Sequence, residues 1–124
     1  KTVINAMCQI LDKKDYLNPN VPKVVVNNNG VMLYMSRAPI PGNKENKFIR
    51  ALKQVCIYAF PREALIKYGS HGKKSELENI EDIEILRLLE MGYKIKMVEV
   101  SDSSIAVDTP EDLKRVKVYL DRND

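Results

Sequence analysis

Two short stretches of this chain pair a charged side chain with a stiff backbone. In "VDTPEDL", Asp108 follows an apolar step and directly precedes a helix start. Thr109 is the expected N-cap and Pro110 the first helical residue, with Glu111 and Asp112 in the opening turn. Thr109 fills the capping role and leaves Asp108 free in the crevice where strand ends meet helix starts, the usual ligand position in open α/β folds. A carboxylate beside bound phosphates suits Mg²⁺, a hard cation that takes oxygen ligands and keeps several waters. The plainer alternative is a second capping group. In "SRAPIP", two prolines fix the backbone beside Arg37 and remove amide donors, so Arg37 is expected to be held stiffly. Its plainer alternative is a surface arginine leaning on an apolar hairpin. The single histidine, His71, lies in a Gly/Lys/Ser loop and reads as exposed rather than catalytic. No glycine-rich phosphate loop occurs among the five glycines, so the usual grip on phosphates is not in this stretch.

Composition sets the frame for these residues. The 124 residues suit one domain with a modest core. A net charge of +3 without any basic block argues against a nucleic-acid partner. No apolar run approaches the roughly 20 residues of a membrane span, and no signal-peptide pattern is present. Cys8 and Cys56 both lie among apolar neighbours and read as buried, reduced thiols of a cytoplasmic protein.

The elements that must position these residues follow from pattern. Val3, Met7, Ile10 and Leu11 fit a short helix or an irregular hydrophobic lead-in, broken by the loop "NPNVP". Lys23 to Val26 and Val31 to Ser36 are two β-rich runs joined by Asn27-Asn28-Asn29-Gly30, a β-hairpin whose turn residues accept positive φ. "PIPGNKENKF" reads as a polar loop, and "QVCIYAF" as a short buried strand. Pro61 opens the helix "REALIKYG", which Gly69 is expected to end. The longest helix is expected over residues 76 to 91, with Leu77, Ile80, Ile83 and Leu86 near a 3.6-residue repeat, Ser75 as N-cap and Gly92 as terminator. "KIKMVEV" alternates as a strand, Ile105 to Val107 is a short apolar step, and "TPEDLKRVKVYLD" closes the chain as a helix. The order predicts one α/β unit with a mixed sheet and flanking helices.

"SRAPIP", "CIYAF", "LENIEDIEILRLLEMGYKI" and "VDTPEDLKRV" occur in this order and at these intervals in a known family. From about Pro22 to Leu120 the chain resembles the C-terminal half of the 3-deoxy-manno-octulosonate cytidylyltransferases (CMP-Kdo synthetases), within the CMP-sugar synthetases. The resemblance implies the C-terminal part of a Rossmann-like nucleotidyltransferase fold, with the hairpin as a dimerisation element and the nucleotide-binding N-terminal half absent. It implies an enzyme that transfers CMP from CTP to a 2-keto-3-deoxy sugar acid, working with Mg²⁺ as a homodimer in lipopolysaccharide or capsule biosynthesis. Asp108 matches the family's catalytic, metal-binding aspartate. Arg37 matches the arginine next to the sugar-acid site, Tyr58 the tyrosine of the "IY" strand, and Glu84 a glutamate that binds sugar hydroxyls. Physically, an arginine fork suits a carboxylate, and a tyrosine with a carboxylate suits hydroxyls. Plainer alternatives stand beside them: Tyr58 as a core tyrosine, and Glu84 on a solvated ion-pair face with Glu81 and Arg87. The chain departs from the family pattern at Gln54, commonly histidine, and at Cys56, commonly glycine. It also departs at Gly42-Asn43 and at Ser104 and Ala106. Gln54 still hydrogen-bonds a hydroxyl but does not titrate, which leaves open the identity of the acceptor acid. Transfer to another ulosonate or a phosphonate, or a non-catalytic dimerisation module, are the competing readings.

Overall fold

A computed structural model describes residues 2–101 and 107–123. Ten elements follow one another: β1 (Thr2–Gln9), α1 (Lys13–Leu17), β2 (Lys23–Val26), β3 (Met32–Ser36), β4 (Leu52–Ala59), α2 (Arg62–Ser70), α3 (Glu76–Glu81), α4 (Ile85–Glu90), β5 (Lys94–Glu99) and α5 (Pro110–Asn123). The strands form one sheet in the order β3-β2-β4-β1-β5. Only β1 and β5 run parallel; the remaining pairs are antiparallel. The mixed sheet with flanking helices is thus as expected. Its core gathers Val3, Met35, Leu86, Leu88, Ile95 and Met97, each at most 2% exposed, with α4 supplying the covering helix face.

The hairpin forms as its turn residues require. Asn27 Oδ1 accepts the amides of Asn29 and Val31, and Gly30 takes φ 73°. A Cβ there would meet Lys96 Nζ at 3.1 Å and the Met97 carbonyl at 3.3 Å, so glycine serves both conformation and space. The tip lies against β5. Met97 donates its amide to the Gly30 carbonyl at 2.8 Å, Val31 bridges Lys96, and Lys96 Nζ donates to the Asn29 carbonyl.

Several expectations are corrected. Residues 3 to 11 are mostly strand, not helix. Asn5, Ala6, Met7 and Cys8 are buried in succession: β1 is a central strand between β4 and β5, and both faces of this half of it are covered, while Ile4 is 40% exposed. The long helix over 76–91 is two helices. Asp82 turns left-handed (φ 53°) between α3 and α4, and Ile80 is left 69% exposed. The strand "QVCIYAF" is half-exposed rather than buried, and Cys56 is exposed while Cys8 is buried. Gly69 lies inside α2; the positive φ that follows this helix belongs to Gly72. Residues 13–17 form the short α1, capped by the Asp12 side chain, in a stretch whose pattern carries no helix signal of its own. The expected step at Ile105 to Val107 lies outside the described residues except for Val107.

Candidate active site

The site is built on an irregularity in β4. Asn5 faces Tyr58 and Ala6 faces Val55, so one step along β1 spans three along β4, and Cys56 and Ile57 bulge outward. Bulges of this kind re-aim side chains near sites. Here Gln54, Val55, Cys56 and Tyr58 all turn to one cleft of about 720 Å³. Burial pushes the Tyr58 phenol well up from its usual range, and the Cys56 thiol and Glu84 carboxylate add to the shift. It stays protonated at neutral pH. Phe60 stacks on its ring, centroids 5.4 Å apart.

Across the cleft stand the α3–α4 kink and the start of α5. Glu84 is exposed at the N-cap of α4, where the kink presents it to the cleft beside Asp82. Asp108 also lines the cleft and is exposed. Its amide donates to Asp112 Oδ2 at 3.1 Å, as does that of Thr109, while Thr109 Oγ1 accepts the Asp112 amide. This reciprocal cap, led by the Asp108 amide, holds the Asp112 carboxyl below its usual range. The Asp108 carboxylate makes no hydrogen bond or ion pair among the described residues. Thr109 and Asp112 do the capping, without the Asp108 side chain.

Arg37 lies in the cleft wall with most of its donors already engaged. Its Nε donates to the Glu81 carbonyl, Nη1 to the Pro19 carbonyl at 2.9 Å, and Nη2 to the Asp82 carbonyl at 2.8 Å. Of five guanidinium N–H groups, two make no hydrogen bond among the described residues. The stiffness expected of "SRAPIP" is present, but its first use is to hold the α3–α4 kink. Tyr16, buried against Phe48, steadies the same segment through the carbonyls of Pro39 and Pro41.

Sequence reasoning missed two fully buried polar residues behind the cleft. Lys23 Nζ donates to the Asn18 carbonyl at 2.8 Å. Burial, then the Arg37 charge, lowers its pKa to about 8, against the opposing pull of Glu81 and Asp15. Lys23 and Arg37 thus grip neighbouring carbonyls of the wall formed by residues 18–22. Asn5 is the other; its alternation-breaking place in an apolar run was the available signal. All five residues chosen from the sequence, Arg37, Gln54, Tyr58, Glu84 and Asp108, line one cleft. His71 is exposed, away from it.

An α/β domain with a mixed sheet here places a cleft combining carboxylates, amide and phenol near strand ends and helix starts, the usual ligand position in such folds. The family model described as Cytidylyltransferase matches residues 4–95, and the chain belongs to the cytidylyltransferase family. It is similar to the 3-deoxy-manno-octulosonate cytidylyltransferase of Fusobacterium nucleatum, 42% identical over 115 residues, covering 93% of this chain and 46% of that protein. The Syntrophotalea carbinolica enzyme of the same name is 38% identical over 120 residues, covering 90% and 48%. A solved structure of CMP:2-keto-3-deoxy-manno-octonic acid synthetase complexed with CTP superposes with a TM-score of 0.82 at 34% identity, covering 98% of this chain and 49% of that one. The chain therefore spans about half the length of the relatives it matches. Among the described residues no helix is long and apolar enough to cross a membrane.

Proposed function

We propose that this chain forms the sugar-acid side of a cytidylyl-transfer site, in which a 2-keto-3-deoxy sugar acid of the Kdo type takes CMP from CTP. The observation that carries this reading is the convergence of Arg37, Gln54, Tyr58, Glu84 and Asp108, drawn from four separate segments, on a single cleft. The two unspent N–H groups of Arg37 would meet the acid's carboxylate. Gln54, Tyr58 and Glu84 would take its hydroxyls. The anomeric hydroxyl would attack the α-phosphorus of CTP in line and lose its proton to water; the new P–O bond forms as the bond to the α,β-bridging oxygen breaks, and pyrophosphate leaves. The triphosphate would be held by the portion of the relatives' length that this chain does not span.

Mg²⁺ fits the residues present in one respect and needs help in another. Asp108 offers at the cleft a carboxylate without a hydrogen-bond partner among the described residues, while no group of three metal-ligating side chains occurs among them. Asp108 would therefore hold the ion together with phosphate oxygens and a ligand from outside the chain. When bound, Mg²⁺ neutralises charge developing on the phosphates. The assembly proposed is a cytoplasmic homodimer meeting through the outer face of the hairpin, where Leu33 is 58% exposed.

Calorimetric titration of the 124-residue chain with 3-deoxy-manno-octulosonate tests the reading. Saturable binding that weakens at least about tenfold in Glu84→Gln is expected, without tight CTP binding or turnover. Absence of acid binding overturns it, and preference for another ulosonate or a phosphonate in the same titration replaces the acceptor. With the chain joined to the nucleotide-binding portion of the Fusobacterium nucleatum relative, Asp108→Ala is expected to slow pyrophosphate release at least about 100-fold.

A further inference from the structure

The polar groups behind β4 form a chain in which each partner fixes the orientation of the next. Asn5 is fully buried on β1. Its Nδ2 donates to two carbonyls that the bulge frees from the ladder, Val55 at 3.0 Å and Ile57 at 2.9 Å. Carbonyl oxygens only accept, so the Asn5 nitrogen must face them and its oxygen must face the other way. That oxygen accepts from Gln54 Nε2 at 3.1 Å, and the same nitrogen donates to the Tyr58 hydroxyl at 2.8 Å. Both Nε2 protons of Gln54 are thereby spent, and its Oε1 is the atom left for a ligand. Tyr58, accepting from Gln54, has its own proton to donate, to the neighbouring Cys56 sulfur or, in its place, to a ligand oxygen.

We propose that Asn5 is a positioning residue that turns Gln54 so its Oε1 meets the cleft as an acceptor beside the donating Tyr58 hydroxyl. The wall then selects a ligand whose hydroxyl donates to Gln54 and whose neighbouring oxygen accepts from Tyr58. A polyhydroxylated acid has that pattern; a deoxy or O-methyl analogue at the same carbon lacks the donor. This inference rests on the sugar-acid reading for its ligand, though not for its geometry.

Two measurements keep those parts separate. The first is hydrogen exchange of side-chain amides by NMR on the 124-residue chain, which holds only two glutamines, Gln54 and Gln9. Gln9 donates to exposed Glu99 and serves as internal reference. Gln54 protons are expected to exchange at least about tenfold more slowly than those of Gln9. Asn5→Ala should bring the Gln54 proton that Asn5 Oδ1 accepts to the reference rate while the backbone spectrum stays folded. Should that variant not fold, Tyr58→Phe substitutes for it. It removes one acceptor at the surface, and one Gln54 proton should lose protection while the other keeps it. Unchanged exchange in Asn5→Ala, or in Tyr58→Phe, overturns the relay. The second measurement is calorimetry with 3-deoxy-manno-octulosonate and its O-methyl analogues. At least about tenfold discrimination against one analogue is expected in the parent chain, shrinking below about twofold in Asn5→Ala. Equal discrimination in both proteins overturns the proposal. No binding of the acid at all refutes the sugar-acid reading, and the exchange data then judge the relay by itself.

Discussion

The guanidinium of Arg37 reaches carbonyls on two separate segments, Pro19 on one and Glu81 and Asp82 on the other. A charged donor shared among carbonyls stabilises more than neutral pairs do, and removing it leaves acceptors short of partners. Arg37→Ala is expected to lower unfolding free energy by about 2–3 kcal/mol in urea titrations. Arg37→Lys should recover less than half of this, since an ammonium is a point charge without the planar fork. Gln54 gives a second prediction. An amide leaves acid binding flat with pH near neutrality, whereas Gln54→His should make affinity for the anionic ligand rise as pH falls through about 6.5. Calorimetry on either side of that value checks it. Asp108 and Arg37 were legible as candidates because proline and capping patterns are local. The direction of the Arg37 donors was not, because their partners at Glu81 and Asp82 lie 44 and 45 residues away. Asn5 was illegible as a functional support for a similar reason: one polar residue in an apolar run shows its purpose only beside the bulge it fills.

Among the elements, α3 and α4 repay attention because their junction sets Glu84. A buried pair holds them to α2. Arg87 Nε and Nη2 donate to the two oxygens of Glu78 at 2.6 and 2.8 Å, and the Tyr68 ring lies 4.0 Å from the guanidinium carbon. The Ser75 amide donates to Glu78 as well. Glu78 is 1% exposed. Breaking such a pair strands a charge, so Glu78→Ala is expected to cost about 3 kcal/mol or more. The pair has a pH signature. Hydrogen bonding from Arg87, opposed by burial, holds the Glu78 carboxyl below its usual 4.5. Its folded pKa lies beneath the unfolded one, so its contribution is complete above about 4.5 and is lost as pH falls through the folded value. Acid titration of stability should therefore be shallower in Glu78→Gln than in the parent chain. Leu77, Ile83 and Leu86 were correctly read as apolar repeats. The break was not visible because Ile80 continues the spacing, while Lys74 and Arg37, from other segments, stabilise the left-handed Asp82.

Across the whole molecule, the mixed sheet, the hairpin and the last helix were legible in turn residues, alternation and caps, all short-range signals. Strand order and the burial of residues 5–8 of β1 were not, since they depend on pairings as distant as Ile4 with Ala59 and Thr2 with Lys94. The hairpin tip links the two outer strands of the sheet. Gly30→Ala is expected to cost about 1–2 kcal/mol through its left-handed backbone, with added crowding against Lys96 and Met97; thermal unfolding of the variant checks this. That contact also bears on how copies of the chain can associate. Exchange of the hairpin between two copies, a swapped arrangement, would have to break the tip bridge to β5 and the Arg37 ties at the far end of the arm before remaking them on the neighbour. Fastened at both ends within its own chain, the arm presents its outward surface first, and any exchange must pass through a state in which both fastenings are open.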